Sequence, residues 1–177
     1  RPAVRLVAGL VVLGLGIFGP SGPLRLLSRT EEIAMPIKIV LPVDGSDSAL
    51  RAVGHLIAHT SWFREIPEIH LLHVQPPIPI GRALAHVGKE TLHSHYLEES
   101  REHLLGAQQR LDAANRSHTT HVHVGQAPEV IARLAGDLAC DLIVMGTHGR
   151  TGIAELVMGS VASRVLHLAP CPVLLVK

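Results

Sequence analysis

Two stretches of the chain hold residue types at spacings that could do chemistry. The first runs from Asp141 to Val165: an unbroken apolar run, Leu142 to Met145, then Gly146 and Gly149, a polar loop, and Gly159-Ser160 opening an amphipathic segment. A buried strand, a glycine-bearing loop and a helix with a hydroxyl, Ser160, at its N-cap together make an anion site. The helix start offers unpaired N–H groups and a partial positive charge, and glycines let the backbone approach a phosphate. The second stretch is Asp44-Gly-Ser-Asp-Ser48, directly after the apolar run Ile37 to Val43. Asp44 can accept hydrogen bonds from an adenine or ribose edge or help hold a metal; it can equally be the carboxylate of a turn. Gly149, Gly159 and Ser160 have the same plain alternative, turn glycines and a helix cap with no ligand.

Other chemistries are poorly supplied. The chain has no Gly-x-Ser-x-Gly elbow and no Gly-x4-Gly-Lys-Ser/Thr loop, so no catalytic residue is assigned. A phosphate site without that lysine lacks the usual support for fast phosphoryl transfer, leaving at most slow ATP hydrolysis or autophosphorylation. Thirteen histidines include His93-x-His95 and His121-x-His123. The second pair shares one strand face, as two zinc ligands could, but no carboxylate or cysteine completes a set in the linear sequence. Exposed histidines and no metal site are the expectation. Cys140 and Cys171 show no metal-ligand spacing, and each precedes an expected strand. If those strands are neighbours the thiols lie close at one sheet edge, as two buried, reduced cysteines of a cytoplasmic protein.

The elements that must position these residues can be read from periodicity. Strands are expected at Ile37 to Val43, Ile69 to Val74, Thr119 to Val124, Leu142 to Met145 and Val173 to Val176. In the third, Val122 and Val124 face one way and His121 and His123 the other. A first helix follows Ser46 as N-cap, with Leu50, Val53 and Ile57 facing the sheet. A mobile loop is expected from Gly81 to Lys89, then a long polar helix, about Leu92 to Asn115, with Leu97, Leu104, Leu105 and Leu111 as its stripe. Pro128 suits the first turn of a helix that buries Val130, Ile131, Leu134 and Leu138. The last helix turns Val161, Val165 and Leu168 inward. Strands alternating with helices argue for an open, mostly parallel α/β sheet.

The chain has 177 residues, 47% hydrophobic and 18% charged, enough for one globular domain with an aliphatic core, since aromatics make up only 2%. A formal charge of +1 without a basic run argues against a nucleic-acid binder. Residues 1–34 do not share the pattern. Leu6 to Phe18 is apolar between Arg1, Arg5 and a Gly/Pro/Ser stretch, but it is short for a membrane span and lacks a good cleavage site for a leader. Met35-Pro36-Ile37-Lys38 comes just before the first strand. The expected organisation is an N-terminal extension, 1–34, outside the native fold, and a domain at 35–177, with no membrane contact unless residues 6–18 are a genuine leader.

The spacing Gly146-x2-Gly149-x9-Gly159-Ser160 resembles the nucleotide-binding signature of the universal stress protein family. Met145-Gly-Thr-His-Gly-Arg-Thr-Gly152 and the closing Ala169-Pro-Cys-Pro-Val-Leu-Leu-Val176 resemble the family too, and the likeness covers roughly Met35 to Lys177. The resemblance implies a Rossmann-like α/β fold: one open five-stranded sheet, order 3-2-1-4-5, with helices on both faces. Asp44 and Gly146 then sit on the two lips of the crevice where the winding reverses. It also implies ATP, with or without Mg2+, in contact with Pro42, Val43 and Asp44, then Val74, then Met145, Gly146, Gly149, Gly159, Ser160 and Val161. Arg150 could reach a terminal phosphate or be a solvated loop charge. A homodimer joined partly through Val173 to Val176 is implied as well, and an exposed apolar edge strand favours pairing independently.

Three functions compete. A nucleotide-binding stress-response module, whose occupancy changes the long loop around Arg150 and a partner surface, leads. An ATP-using enzyme is the second, because Asp44-Gly-Ser-Asp-Ser48 partly resembles the Ser-Gly-Gly-x-Asp-Ser loop of the ATP pyrophosphatase family; here Val43 and Asp44 replace its first Ser and Gly. The third is a dimeric interaction protein without nucleotide.

Overall fold

The computed structural model describes residues 36–77, 89–149 and 158–177, with side chains at all of these but 89–97. They belong to one unit, Ala34–Lys177. The extension 1–34 with its Leu6–Phe18 run, Met35, the loop from Gly81 to residue 88, Arg150, and the side chains of His93, His95 and Leu97 fall outside the described residues.

Five strands, β1 (Lys38–Pro42), β2 (Glu68–Gln75), β3 (His118–Val124), β4 (Leu142–Gly146) and β5 (Val173–Val176), form one sheet in the order β3-β2-β1-β4-β5. Every neighbouring pair is parallel. β1 and β4 lie at the centre because Ile39, Val40 and Leu41 and Ile143, Val144 and Met145 are apolar on both faces, and all are buried. Pro42 ends β1, where its missing donor costs nothing; the ladder resumes with Val43 N–H donating to the Leu72 carbonyl at 2.8 Å. At the other end Asp141 latches β1 to β4: its carboxylate accepts from Lys38 N at 2.8 Å and its N–H donates to the Lys38 carbonyl at 2.9 Å.

Among the described residues four α-helices cover the two faces. α1 (Asp47–Ala58) and α2 (Lys89–Ala113) pack on the face carrying Ile39, Leu41, Ile69, Leu71 and Val144. α3 (Ala127–Asp137) and α4 (Ser160–Leu168) pack on the face carrying Val40, Leu72, Ile143 and Met145. The order, the parallel pairing and the two helical layers agree with the expected α/β architecture.

The inward stripes differ in a consistent way. α1 buries Ser48, Ala49, Ala52, Val53 and Leu56, and the expected Leu50 and Ile57 pack half-buried against the same cluster. In α2 Leu104 and Leu111 are buried, but Leu105 is exposed and Ala107 faces inward. In α4 Ala162 and Val165 are buried, whereas Val161 and Leu168 are exposed. In α3 the expectation holds for Val130, Ile131 and Leu134, and Leu138 packs half-buried against the same cluster. The helix faces on the sheet thus bury small residues, alanine and serine, alongside leucine, valine and isoleucine.

β3 alternates as expected, but Val122 and Val124 are the exposed residues and His121 and His123 are half-buried. His121 Nε2 lies 3.1 Å from Nδ1 of the buried His70, whose Nε2 is 3.2 Å from Glu68. Burial lowers the proton affinity of both rings; at His70 it prevails over the opposing Glu68 carboxylate, with Lys38 adding to it, and at His121 the neighbouring His70 and His123 add to it. A folded-state value below the ordinary 6.5 means that the unfolded chain binds more protons, so stability is complete above that pH and drains as pH falls through it. Urea unfolding across that range is expected to show the loss, and His121→Asn should reduce it. An unchanged slope in the variant would remove the pair as its cause.

Ala139, just past α3, has φ +51, a left-handed conformation that an L side chain resists, while Cys140 N–H closes back on the Ala135 carbonyl at 2.8 Å. Ala139→Gly should therefore raise stability by about 0.5–1 kcal/mol, seen as a higher urea midpoint at constant slope.

Candidate functional site

β1 and β4 are neighbours, yet the chain continues from β1 over one face through α1 and from β4 over the other through α4. Connections that part in this way leave a crevice at the carboxyl ends of the strands. The empty space there, open mouth included, is about 720 Å³.

The first lip is Pro42-Val43-Asp44. Asp44 Oδ1 accepts from Ser46 N–H at 3.0 Å, so half of this carboxylate does serve the turn. Oδ2 faces the other lip, where a Cβ on Gly149 would lie 2.8 Å from it. Ser46 caps α1, its hydroxyl accepting from Ala49 N–H at 3.2 Å.

The second lip is built from the end of β4, the residues just beyond it and the start of α4. Thr147 N–H donates to the Val176 carbonyl at 3.1 Å, which extends the ladder with β5. Gly159 N–H donates to the Thr147 carbonyl at 2.9 Å, so the far end of the loop returns to its beginning and α4 starts over the end of β4. His148 N–H reaches Ser48 Oγ at 3.3 Å, and the Thr147 hydroxyl lies 2.9 Å from His148 Nδ1. The expected hydroxyl cap is corrected here. Gly159, at φ −60 and ψ 150, is the N-cap of α4, and Ser160 is already its first helical residue. Gly159 brings no side chain to the cap, so α4 opens on the crevice without the side-chain bond that satisfies α1.

Ten of the residues singled out by sequence line this one crevice: Pro42, Val43, Asp44, Val74, Met145, Gly146, Gly149, Gly159, Ser160 and Val161. They come from four separate parts of the chain. Periodicity missed Ala49, Leu72, Ala127, Ile131, Thr147, His148 and Ala162. Thr147 and His148 lie inside the glycine spacing and were there to be found. Ala127 and Ile131 had only a topological signal, that α3 starts directly beyond the end of β3. The result is polarised: a carboxylate on one lip, a helix start on the other, and an apolar wall of Leu72 and Val74 from β2 with Ala127 and Ile131 from α3.

Residues 35–177 match the model of the universal stress protein family. The chain belongs to that family. A curated universal stress protein, MJ0531 of Methanocaldococcus jannaschii, is 36% identical over 143 residues, 79% of this chain and 81% of its own. The solved structure of MJ0577 from the same organism has a TM-score of 0.66 at 30% identity, covering 81% of this chain and 96% of that one. The universal stress protein of Archaeoglobus fulgidus in complex with dAMP shares the fold, with a TM-score of 0.54 at 23% identity over 82% and 99% of the two chains.

In this universal stress protein Cys140 is buried and Cys171 half-buried, on neighbouring strand starts within one apolar cluster, and both are free. Burial, with a contribution from Cys171, pushes the Cys140 thiol up to about 11, which keeps it protonated and unreactive at neutral pH. Among the described residues no three His, Cys, Asp or Glu side chains are grouped to hold a metal ion. Nor is any helix there long and apolar enough to cross a membrane.

Proposed function

We propose that this universal stress protein is a nucleotide-binding stress-response module whose crevice holds an adenine nucleotide, ATP with Mg2+ in its full form. The polarity of the crevice carries the reading. An anion is repelled by the Asp44 carboxylate and attracted by the start of α4, so a phosphate chain belongs beside Gly149, Gly159, Ser160 and Val161. Asp44 then faces the hydroxyl-bearing end of the ligand, and Val74, Ala127 and Ile131 offer an apolar wall to a flat base. The dAMP complex of the Archaeoglobus fulgidus relative supports a ligand with these three parts. Arg150, which lies outside the described residues, is the candidate side chain for a terminal phosphate in this reading.

The same proposal includes a cytoplasmic homodimer. β5 ends the sheet, with Val173, Leu174 and Leu175 only half-buried, so a second copy can cover its outer side. Calorimetric titration of the full chain with ATP and magnesium, after bound nucleotide is stripped, tests the site. Saturable binding near one per chain, with the nucleotide recovered intact, is expected. No heat from a folded protein would return the crevice to a structural role, and accumulating pyrophosphate would point to the ATP pyrophosphatase chemistry instead.

A further inference from the structure

A chain of polar side chains runs from the first lip of the crevice into α2. His73, 1% exposed, places Nδ1 2.9 Å from the Val43 carbonyl oxygen and Nε2 3.1 Å from Gln75 Oε1. Gln75, also buried, places Nε2 2.6 Å from Glu99 Oε2. Glu99 Oε1 is 3.8 Å from His103 Nε2, and the His103 ring is centred 5.0 Å from that of His73. His103 also closes on the turn after the lip: a Cβ on Gly45, at φ +79, would lie 2.8 Å from its Nδ1. His73 therefore faces the Val43 carbonyl from β1, with Asp44 next in the chain, Gln75 from β2, and Glu99 and His103 from α2.

The protons of this chain can be counted. A carbonyl oxygen only accepts, so His73 Nδ1 must carry a proton. With a second proton on Nε2, His73 donates to Gln75 and the Gln75 amide donates to the Glu99 carboxylate. With the Gln75 amide turned over, its NH2 donates to a bare Nε2, and its oxygen then needs a protonated Glu99 as donor. Both arrangements hold the same proton, one more than a neutral imidazole and a carboxylate supply. Without that proton, two acceptors meet face to face, at the buried His73–Gln75 junction or, with the amide turned over, at the part-buried Gln75–Glu99 one, which costs more than a solvated loss.

We propose that His73, Gln75 and Glu99 form a one-proton relay that positions the Val43–Asp44 lip, so that adenine nucleotide binding is coupled to holding that proton. His73 acts through Val43 and is a positioning residue. The inference rests on the crevice being a nucleotide site, and the test separates the two. The probe is AMP, titrated calorimetrically into the full chain from about pH 5 to about pH 8, where imidazoles ordinarily change charge. In Glu99→Gln the new amide donates to Gln75 and Gln75 donates to His73, so the relay is complete with a neutral ring and no extra proton.

The wild type is expected to lose affinity as pH rises relative to Glu99→Gln, by at most about tenfold per pH unit for one linked proton. The AMP phosphate titrates in the same range but identically for both proteins, so the difference between the profiles isolates the relay. A role in packing alone would lower the affinity of the variant without altering its pH profile. Superimposable profiles, with binding in both, overturn the relay and leave the nucleotide site standing. No AMP binding to either protein at any pH overturns the site, and with it the coupling. Imidazole 15N shifts give a ligand-free check. His73 should stay in its neutral Nδ1–H form in Glu99→Gln, and the same pH response in both proteins would refute the relay.

Discussion

A Gly159→Val variant should bind adenine nucleotide about a hundredfold more weakly than the wild type, the equivalent of one or two charge-assisted hydrogen bonds, with its far-UV circular dichroism unchanged. The cause is space. Gly159 has φ −60 and ψ 150, a conformation open to any residue. A Cβ there would lie 3.1 Å from the Thr147 carbonyl oxygen and 3.4 Å from His148 Cα. The extra methyl groups of valine press on that same segment and spread the loop that Gly159 N–H ties to Thr147. The start of α4 moves away from Gly149, and the donors proposed for the phosphate no longer converge. Gly159 lies at the margin of the fold and is only half-buried, so the core is left alone. Gly159→Ala, which needs a shift of a few tenths of an ångström, should fall between the two. A folded valine variant that binds as the wild type does would remove α4 from the phosphate site.

The neighbouring glycine is expected to behave oppositely. Gly146→Ala should lower stability by about 3 kcal/mol, near the top of the range for overpacking, and the melting temperature by about 10 °C. A Cβ at Gly146 would come within 2.7 Å of both the Ser48 carbonyl carbon and its oxygen. These are backbone atoms in the first turn of α1, whose position is fixed by the Ser46 cap and by the buried Ser48, Ala49 and Ala52. No rotamer change relieves the contact, so α1 must lift from β4. Thermal and urea unfolding measure the effect. A melting point unchanged to within a degree or two would mean that α1 is not seated on Gly146 as the geometry requires. Two glycines of one spacing thus answer to different forces, one to the ligand and one to the helix beside it.

That seating also explains which parts of the fold could be read from the sequence. β1 and β4 were legible because a strand covered on both faces is an unbroken apolar run, and nothing else of that length competes with it. Leu105 in α2 and Val161 and Leu168 in α4 were misplaced for one reason. Hydrophobic periodicity favours large residues, whereas a helix close to a sheet buries Ser48, Ala52, Ala107 and Ala162. His121 was misjudged because its partner, His70, is about fifty positions away in sequence and invisible to local pattern. In the crevice the glycines and Asp44 announced themselves. Ala127 and Ile131 did not, since an alanine and an isoleucine at a helix start look like ordinary core.

The latch between Asp141 and Lys38 joins residues 103 positions apart, and the two lips of the crevice are similarly distant along the chain. A pocket assembled from such distant segments is absent until the central strand pair has closed, and closing it is the slow step for a sheet of parallel strands. During synthesis β1 and β2 are complete long before β4 exists, so every intermediate lacks the ligand site while leaving a central strand edge unpaired. A ligand held there, as proposed, would stabilise only the finished chain, by an amount set by its concentration relative to its dissociation constant. With the proposed nucleotide in the crevice, protection from proteolysis would reach completed molecules and not stalled or truncated ones.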